Sequence, residues 1–241
     1  MITVSSFCKM HSSFWRDLTP TMDVFIRRLN LGQYEREFPV LKASTSPVRR
    51  GIINETAFTI FCQEVRRNIS WPPPKLTAED VQRAMAEVHS RSSHRELRVQ
   101  AGVSDNVTAH EFFDIEEQRN RLSRMFCFDG IGGILLVEPS FPGCGVIDAG
   151  KGDLIYSNAL YEIKAGDRLF RSVDVRQLIT YSALNYVSKR FRIDSLGLFN
   201  PRVGVSATIP VDDLCAEISG KKSSDLFFDI VAAISSGDVS R

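Results

Sequence analysis

The chain has 241 residues, 43% of them hydrophobic and 24% charged, a composition typical of a soluble globular protein with a sizeable core. Its formal net charge of +1 excludes a polycation, so any nucleic-acid site must come from local clusters of Lys and Arg. Its five scattered cysteines include no CxxC pair, which argues against a structural zinc site and a disulfide framework. Without a signal-like N-terminus or a bilayer-length apolar run, we expect a soluble, cytoplasmic protein with no membrane contact.

Helical patterns dominate the first hundred residues. Apolar residues recur at helical spacing over 14–30 and over 51–68. Three prolines at 72–74 favour an extended segment, after which Thr77 can cap another helix. The polar stretch 90–106 marks a predicted boundary. It divides the chain into a helical accessory region, residues 1–104, and a second domain, residues 105–241.

The second domain alternates between helical and strand patterns. In chain order the sequence predicts a helix over 110–128, a strand over 131–141, a glycine-rich bend over 142–153, strands over 154–156 and 159–164, a helix over 172–190 with Ser172 as its N-cap, two strands on either side of a turn at Asn200 and Pro201, and helices over 211–219 and 224–235. This order predicts an α/β protein of the α+β kind, with a mixed sheet.

A charged group stands out within the predicted hairpin. If Ser157 and Asn158 form a two-residue turn, counting outward places Asp153 opposite Glu162 on one face of the sheet. Strand alternation adds Lys164 to that face. Opposed carboxylates repel each other unless a cation lies between them, and a hard divalent ion is a natural occupant. The alternative is a surface ion-pair triad, which an isolated ExK tripeptide would favour.

Two polar residues of the following helix add to this group. Gln177 and Tyr181 are four residues apart, so they share one helix face. That face is predicted to lie away from the helix's apolar stripe, which comprises Val175, Leu178, Ile179, Ala183, Tyr186 and Val187. On their own, the two residues would be read as part of a solvated face.

Together, Asp153, Glu162-Ile163-Lys164 and Gln177-xxx-Tyr181 resemble the D…(D/E)xK core of the PD-(D/E)xK nuclease superfamily, with the QxxxY motif typical of its RecB and lambda-exonuclease-like branch. The resemblance covers residues 108–209 and implies a restriction-endonuclease-like αβββαβ core. The motif's proline before the first Asp is replaced by Gly152.

The resemblance implies that Asp153, Glu162 and the carbonyl of Ile163 bind Mg²⁺ or Mn²⁺. It implies that Lys164 positions or activates the attacking water, while Gln177 and Tyr181 support the lysine and the DNA backbone.

A further metal-binding acid is expected from the first core helix of such a fold. Glu117 is the candidate, Glu116 the alternate and His110 the weaker choice. Ordinary surface charge on a helix explains these residues about equally well.

Basic residues around the motif are candidate DNA contacts, because phosphate contacts supply most nucleic-acid affinity. They are Lys151, Arg168, Arg171 and Arg176, with Lys189, Arg190 and Arg192 further along the chain. Arg202 could approach the same region, but a solvated Arg beside a turn is the simpler interpretation.

The function that the resemblance implies is metal-dependent hydrolysis of DNA phosphodiester bonds, in a restriction, antiphage-defence or mobile-element setting. The alternative is a catalytically silent subunit of the same fold that binds nucleic acid or assembles with a partner ATPase or helicase. The intact Asp, Glu and Lys favour the enzyme. The N-terminal helices are the candidate partner surface. RNA cleavage, endonucleolytic versus exonucleolytic action and homo-oligomerisation stay open.

Overall fold

The computed structural model describes residues 1–10, 12–42, 45–69, 71–92, 106–127 and 133–237. The helices in these ranges are α1 (Val4–Lys9), α2 (Ser12–Leu18), α3 (Met22–Asn30), α4 (Arg50–Arg66), α5 (Ala78–Ser92), α6 (Ala109–Cys127), α7 (Ser172–Ser188), α8 (Val211–Ser219) and α9 (Ser223–Ser236). The strands are β1 (Glu35–Arg36), β2 (Leu135–Val137), β3 (Ser140–Phe141), β4 (Gly150–Lys151), β5 (Leu154–Tyr156), β6 (Ala159–Ile163), β7 (Ser195–Asn200) and β8 (Val205–Pro210).

A six-stranded mixed sheet, ordered β1-β8-β7-β6-β5-β2, forms the centre of the fold. Strands β6 and β7 are parallel, and the other neighbours in this sheet are antiparallel. Helix α7 connects the parallel pair, as a crossover between parallel strands requires. Strands β3 and β4 form a separate two-stranded ribbon. The predicted class, mixed α and β with a mixed sheet, is confirmed.

The β5–β6 hairpin has the predicted register. Leu154 pairs with Tyr161, and Tyr156 pairs with Ala159. Ser157 and Asn158 have φ values of 48° and 65°. Two consecutive left-handed residues are typical of a type I′ turn, whose twist matches that of the flanking strands. The hairpin therefore places Asp153, just before β5, beside the end of β6.

Two predicted elements are interrupted. The helix predicted over 14–30 is two helices, α2 and α3, with Pro20 in the break; proline disfavours helical backbone at the preceding residue. The strand predicted over 131–141 is two short strands, β2 and β3, separated at Glu138, whose φ is 49°. Residues 131 and 132 of that prediction lie outside the described ranges.

Helix α7 begins differently from the prediction. Ser172 is its first helical residue and not its cap, and its hydroxyl donates to Asp23 Oδ1 at 2.6 Å. Instead, the carboxylate of Asp174 accepts a hydrogen bond from the Arg171 backbone N–H at 2.8 Å. The helix ends at Ser188 because Lys189 adopts a left-handed φ of 50°.

The predicted apolar stripe of α7 is wrong at its C-terminal end, since Tyr186 and Val187 are 42% and 52% exposed. Thr180 and Ser182 are buried in their place, and each hydroxyl donates to a backbone carbonyl four residues earlier. Contacts with α1, α3, α9 and the strands cover this helix on several sides, so one apolar stripe does not describe it.

The described residues before 93 join the same hydrophobic cores as the later described residues. Phe7, Trp15 and Phe25 lie in one hydrophobic cluster with residues of α7, α8 and α9. Strand β1 pairs with β8, and α4 packs against α6. Residues on both sides of the predicted division near residue 104 therefore share hydrophobic clusters. Of the predicted boundary stretch, 90–106, residues 93–105 lie outside the described residues.

None of the helices in the described ranges is long and apolar enough to cross a membrane.

Candidate functional site

Four of the predicted site residues meet at the end of the β5–β6 hairpin. Lys164 follows β6, and its Nζ donates to Glu162 Oε1 at 2.6 Å and to Gln177 Oε1 at 2.8 Å. Asp153 Oδ2 accepts the backbone N–H of Ile163 at 2.6 Å. The hairpin register brings the two acids and the lysine together, and α7 supplies Gln177 from the next element.

The two acids are electrostatically coupled. Burial, with smaller contributions from Glu55 and Glu138, raises the pKa of Asp153 to about 6, although Lys164 and the Ile163 N–H oppose the shift. Burial and the charge of Asp153 raise the pKa of Glu162 to about 8. A pair of carboxyl groups that resist ionisation together is a common feature of functional sites.

Lys164 remains a cation in this environment. Burial disfavours its charged form, but the carboxylates of Glu162 and Asp153 outweigh burial and raise the pKa of Lys164. Asp174, almost fully buried, lies 3.9 Å from its Nζ. The ammonium is therefore charged at neutral pH and fixed in position between its acceptors.

Tyr181 lies on α7 as predicted, but it is buried and not presented on a solvated face. Its hydroxyl donates to the backbone carbonyl of Lys151 at 2.6 Å. Its ring packs on Phe141, with 5.0 Å between ring centroids. Tyr181 thus ties α7 to both strands of the β3–β4 ribbon, two residues before Asp153, and it acts as a positioning residue.

A cavity of about 290 Å³ opens beside Asp153. Ile163 and Ala165 of the hairpin end line it, together with Lys151, Gly152 and Glu138. Its remaining wall is one face of α4, formed by Gly51, Asn54, Glu55 and Phe58. Helix α4, which was expected to belong to an accessory region, therefore forms one wall of the cavity.

Glu55 is the site residue that the sequence analysis missed. Its side chain reaches solvent through the cavity. The cavity walls partly desolvate the carboxylate and so raise its pKa. Glu138 adds to this effect, and Arg91 and Lys164 oppose it. A signal was present in the sequence, because Asn54 and Glu55 interrupt the apolar run of α4 with adjacent polar side chains. A charged residue in such a run is worth testing as a site residue.

The predicted upstream acids do not reach this cavity. Glu117 accepts a hydrogen bond from Arg121 Nε at 2.7 Å, and both Glu116 and Glu117 line a different cavity beside Pro72–Pro74. His110 is exposed at the start of α6 and is not part of the Asp153 cavity. Helix α4, and not α6, forms the wall of the Asp153 cavity, so these candidates of α6 lie apart from Asp153.

Two of the residues predicted to contact DNA, Arg168 and Arg176, interact with other side chains of the protein. Arg168 makes a two-pronged ion pair with buried Asp174, at 2.7 and 3.0 Å. Arg176 lies over the Trp15 ring at 5.5 Å, and burial lowers its pKa. Both guanidinium groups therefore have partners within the protein. Arg171 is exposed beside the start of α7, and Lys151 lines the cavity with a side chain that is 63% exposed.

Arg202 is fully buried, which contradicts its interpretation as a solvated turn residue. Its Nη2 donates to Asp114 Oδ2 and to Asn54 Oδ1, both at 3.1 Å. Asn54 in turn donates to the carbonyl of Ala165 at 2.6 Å. Arg202 therefore connects α6 and α4 with the segment that follows Lys164.

The donor set of the site suits a hard divalent cation with incomplete protein coordination. No group of three or more His, Cys, Asp or Glu side chains is arranged to hold a metal within the part of the chain that the structure describes. Asp153 and Glu162 nevertheless offer paired carboxylates. Mg²⁺ is commonly bound by one or two carboxylates, with water and substrate phosphate completing its shell.

The chain was compared with models of known protein families, with curated proteins and with solved structures, and none of them matches significantly.

Proposed function

We propose that this chain is a metal-dependent nuclease that hydrolyses DNA phosphodiester bonds, with a restriction-endonuclease-like core of the PD-(D/E)xK type. The order of the core elements supports the proposal. A helix is followed by the antiparallel strands β2, β5 and β6, then by α7 and the parallel strand β7, which is an αβββαβ order.

The convergence of Asp153, Glu162, Lys164 and Gln177 carries the proposal. These residues are spread over 25 positions of the sequence, yet direct hydrogen bonds join Lys164 to Glu162 and Gln177 beside an electrostatically coupled Asp153. A surface ion-pair triad would not need to be buried, nor would it need a neutral amide to hold the lysine. The cavity beside Asp153 leaves room for a phosphate group.

Each residue has a role in this proposal. Asp153, Glu162 and the carbonyl of Ile163 would hold Mg²⁺ or Mn²⁺, with Glu55 as a further acid from α4. When bound, such an ion stabilises the negative charge that develops on the phosphodiester. Lys164, fixed by Gln177, orients the attacking water and offsets developing charge through its ammonium. Tyr181 holds the β4 backbone from which Asp153 follows.

The test is incubation of the purified chain with plasmid and linear DNA in the presence of Mg²⁺, Mn²⁺ or EDTA. We expect cleavage with either metal, none in EDTA, and none from Asp153→Asn. Asp148→Asn, which changes a carboxylate of the β3–β4 connection outside the cavity, should cleave as the wild type does. Comparing circular with linear substrate separates endonucleolytic from exonucleolytic action.

Binding without cleavage under all of these conditions would favour the silent subunit instead. Cleavage by Asp153→Asn at the wild-type rate would place the chemistry elsewhere in the protein.

A further inference from the structure

Three cationic side chains from three elements surround one carboxylate on the rim of the Asp153 cavity. Glu138 forms an ion pair with Arg66 of α4, and its Oε1 accepts a hydrogen bond from Arg91 Nη1 of α5 at 3.3 Å. Lys151 Nζ of β4 lies 4.0 Å from Glu138 Oε2. We refer to Arg66, Arg91, Lys151 and Glu138 as the rim cluster.

The cations of the rim cluster face solvent, whereas its carboxylate is covered. The side chains of Arg66, Arg91 and Lys151 are 44%, 38% and 63% exposed, but that of Glu138 is only 14% exposed. Arg91 also forms an ion pair with Glu87. Within the rim cluster three positive charges face the one negative charge of Glu138, and Glu87 and Glu55 lie close enough to Arg91 to offset the excess. The cationic side chains are nevertheless the exposed members of the cluster.

Glu138 has an unfavourable backbone conformation. Its φ of 49° is in the left-handed region, which residues with a side chain seldom adopt. Its N–H donates to the carbonyl of Asp153 at 2.8 Å, so the rim cluster is tied directly to the candidate metal ligand. Unfavourable backbone conformations are retained where the surrounding structure enforces them, often at functional sites.

We propose that the rim cluster binds a phosphate of the DNA backbone, and that this phosphate takes over the Arg66, Arg91 and Lys151 donors that Glu138 holds in the free protein. The proposal rests on the proposed nuclease function, and it adds the location at which the backbone of the DNA substrate binds. Guanidinium groups match phosphate oxygens with paired hydrogen bonds. Glu138 competes with the phosphate for these donors, so its charge lowers the affinity of the free protein for DNA.

The arrangement of charge around the cavity supports this assignment. The cavity itself contains Asp153 and Glu55, which repel a phosphate until a cation neutralises them. The rim cluster lies beside these acids and has the opposite sign. A polyanion would therefore meet the rim cluster first and reach the acids only together with a cation.

The experiment measures binding of a labelled DNA duplex by fluorescence anisotropy in EDTA, over a series of salt concentrations. We expect Arg66→Ala with Lys151→Ala to weaken binding roughly tenfold at moderate salt, and to reduce the slope of log affinity against log salt by about 1 for each side chain removed. The matched control is Arg83→Ala on α5, a side chain that is 49% exposed and also ion-paired to acids. It should bind as the wild type does.

Glu138→Gln provides a second test, in which DNA affinity is expected to rise and not to fall. Loss of the competing carboxylate should strengthen DNA binding, whereas a purely structural ion-pair network would give no change or weaker binding. Lys151→Ala alone keeps the test decisive if Arg66→Ala does not fold, because Lys151 is mostly exposed.

The proposal is overturned if the rim variants bind DNA as Arg83→Ala does, or if Glu138→Gln weakens binding. It is also overturned if calorimetry shows that the rim cluster binds inorganic phosphate while the rim variants bind the DNA duplex as the wild type does. The rim cluster would then bind only the free ion. If metal-dependent cleavage requires Asp153 but proceeds at the wild-type rate in the rim variants, this inference is refuted and the nuclease proposal is not. Rim-dependent binding without any cleavage would refute the nuclease proposal alone.

Discussion

Lys164 is held by two acceptors, Glu162 Oε1 and Gln177 Oε1, so its ammonium has a fixed position at the end of β6. We expect Lys164→Ala to lower DNA turnover by about 100-fold or more, as removal of a residue that stabilises developing charge does. Affinity for DNA and for Mn²⁺ should change little, and single-turnover cleavage together with equilibrium binding would separate the effects. Lys222→Ala, an exposed lysine at the start of α9, is the matched control. Cleavage by Lys164→Ala at the control rate would remove the lysine from the mechanism.

The raised pKa of Glu162 makes the stability of the metal-free protein depend on pH. Burial and repulsion from Asp153 raise this pKa from its ordinary value of 4.5 to about 8, so between these limits the unfolded chain has lost a proton that the folded protein keeps. Stability therefore falls as the pH rises through this interval. We expect the melting temperature in EDTA to drop between pH 5 and pH 8.

The variant Glu162→Gln should flatten that dependence, because an amide does not titrate. Glu79→Gln, at a side chain that is 83% exposed, should leave it unchanged. A wild-type melting temperature that rises over this interval would show that the folded protein does not keep the Glu162 carboxyl group protonated.

Arg202 and Asp114 form a fully buried ion pair, with 3.1 Å between Arg202 Nη2 and Asp114 Oδ2. We expect Arg202→Ala to destabilise the protein by about 3–5 kcal/mol, since it leaves a buried carboxylate without its cation. Urea unfolding measures the loss. Arg192→Ala, which breaks an exposed pair with Asp194, should cost no more than about 1 kcal/mol. Similar small losses in both variants would contradict a stabilising role for this buried ion pair.

At the scale of elements, the β5–β6 hairpin could be predicted because its information is local. Asn158 tolerates a left-handed φ, the turn has two residues, and counting outward fixes the opposed pairs. The position of Asp153 beside the end of β6, where it accepts the Ile163 N–H, and the position of Lys164 are consistent with the same count. The helix with Gln177 was located by its own apolar periodicity.

The other parts of the site depend on packing between distant elements. Glu55 reaches the cavity only because α4 packs beside β2 and α6, and no local pattern in the sequence encodes that contact. Arg168 and Arg176 were expected to contact DNA because they are basic and near the motif. Their partners, Asp174 and the Trp15 ring, become visible only in three dimensions.

Short elements were missed for a related reason. Strand β1 has two residues, too few for an alternating pattern, and its pairing with β8 defines it. Helix α1 has six residues and is stabilised by packing on α7.

At the scale of the whole molecule, the N-terminal region completes the hydrophobic cores and the site. A chain that begins at Ser104 would lose Phe7, Trp15 and Phe25 from the cluster around α7, and it would lose the α4 wall of the cavity. We expect it to be insoluble or unfolded, because burial of each large apolar side chain contributes about 1.5–3 kcal/mol. Circular dichroism during heating measures this. A cooperative thermal transition in the shortened chain would restore the two-domain interpretation.

Binding of Mn²⁺ is the most direct test of the central claim, that Asp153 and Glu162 form a metal centre for phosphodiester hydrolysis. Isothermal titration of the full chain with Mn²⁺ would compare the wild type with Asp153→Ala and Glu162→Ala, and with Asp148→Ala in the neighbouring β3–β4 connection as the control. We predict that the wild type and the control bind the ion, and that each of the two site variants loses binding while remaining folded. Unchanged Mn²⁺ binding in both site variants would contradict the claim.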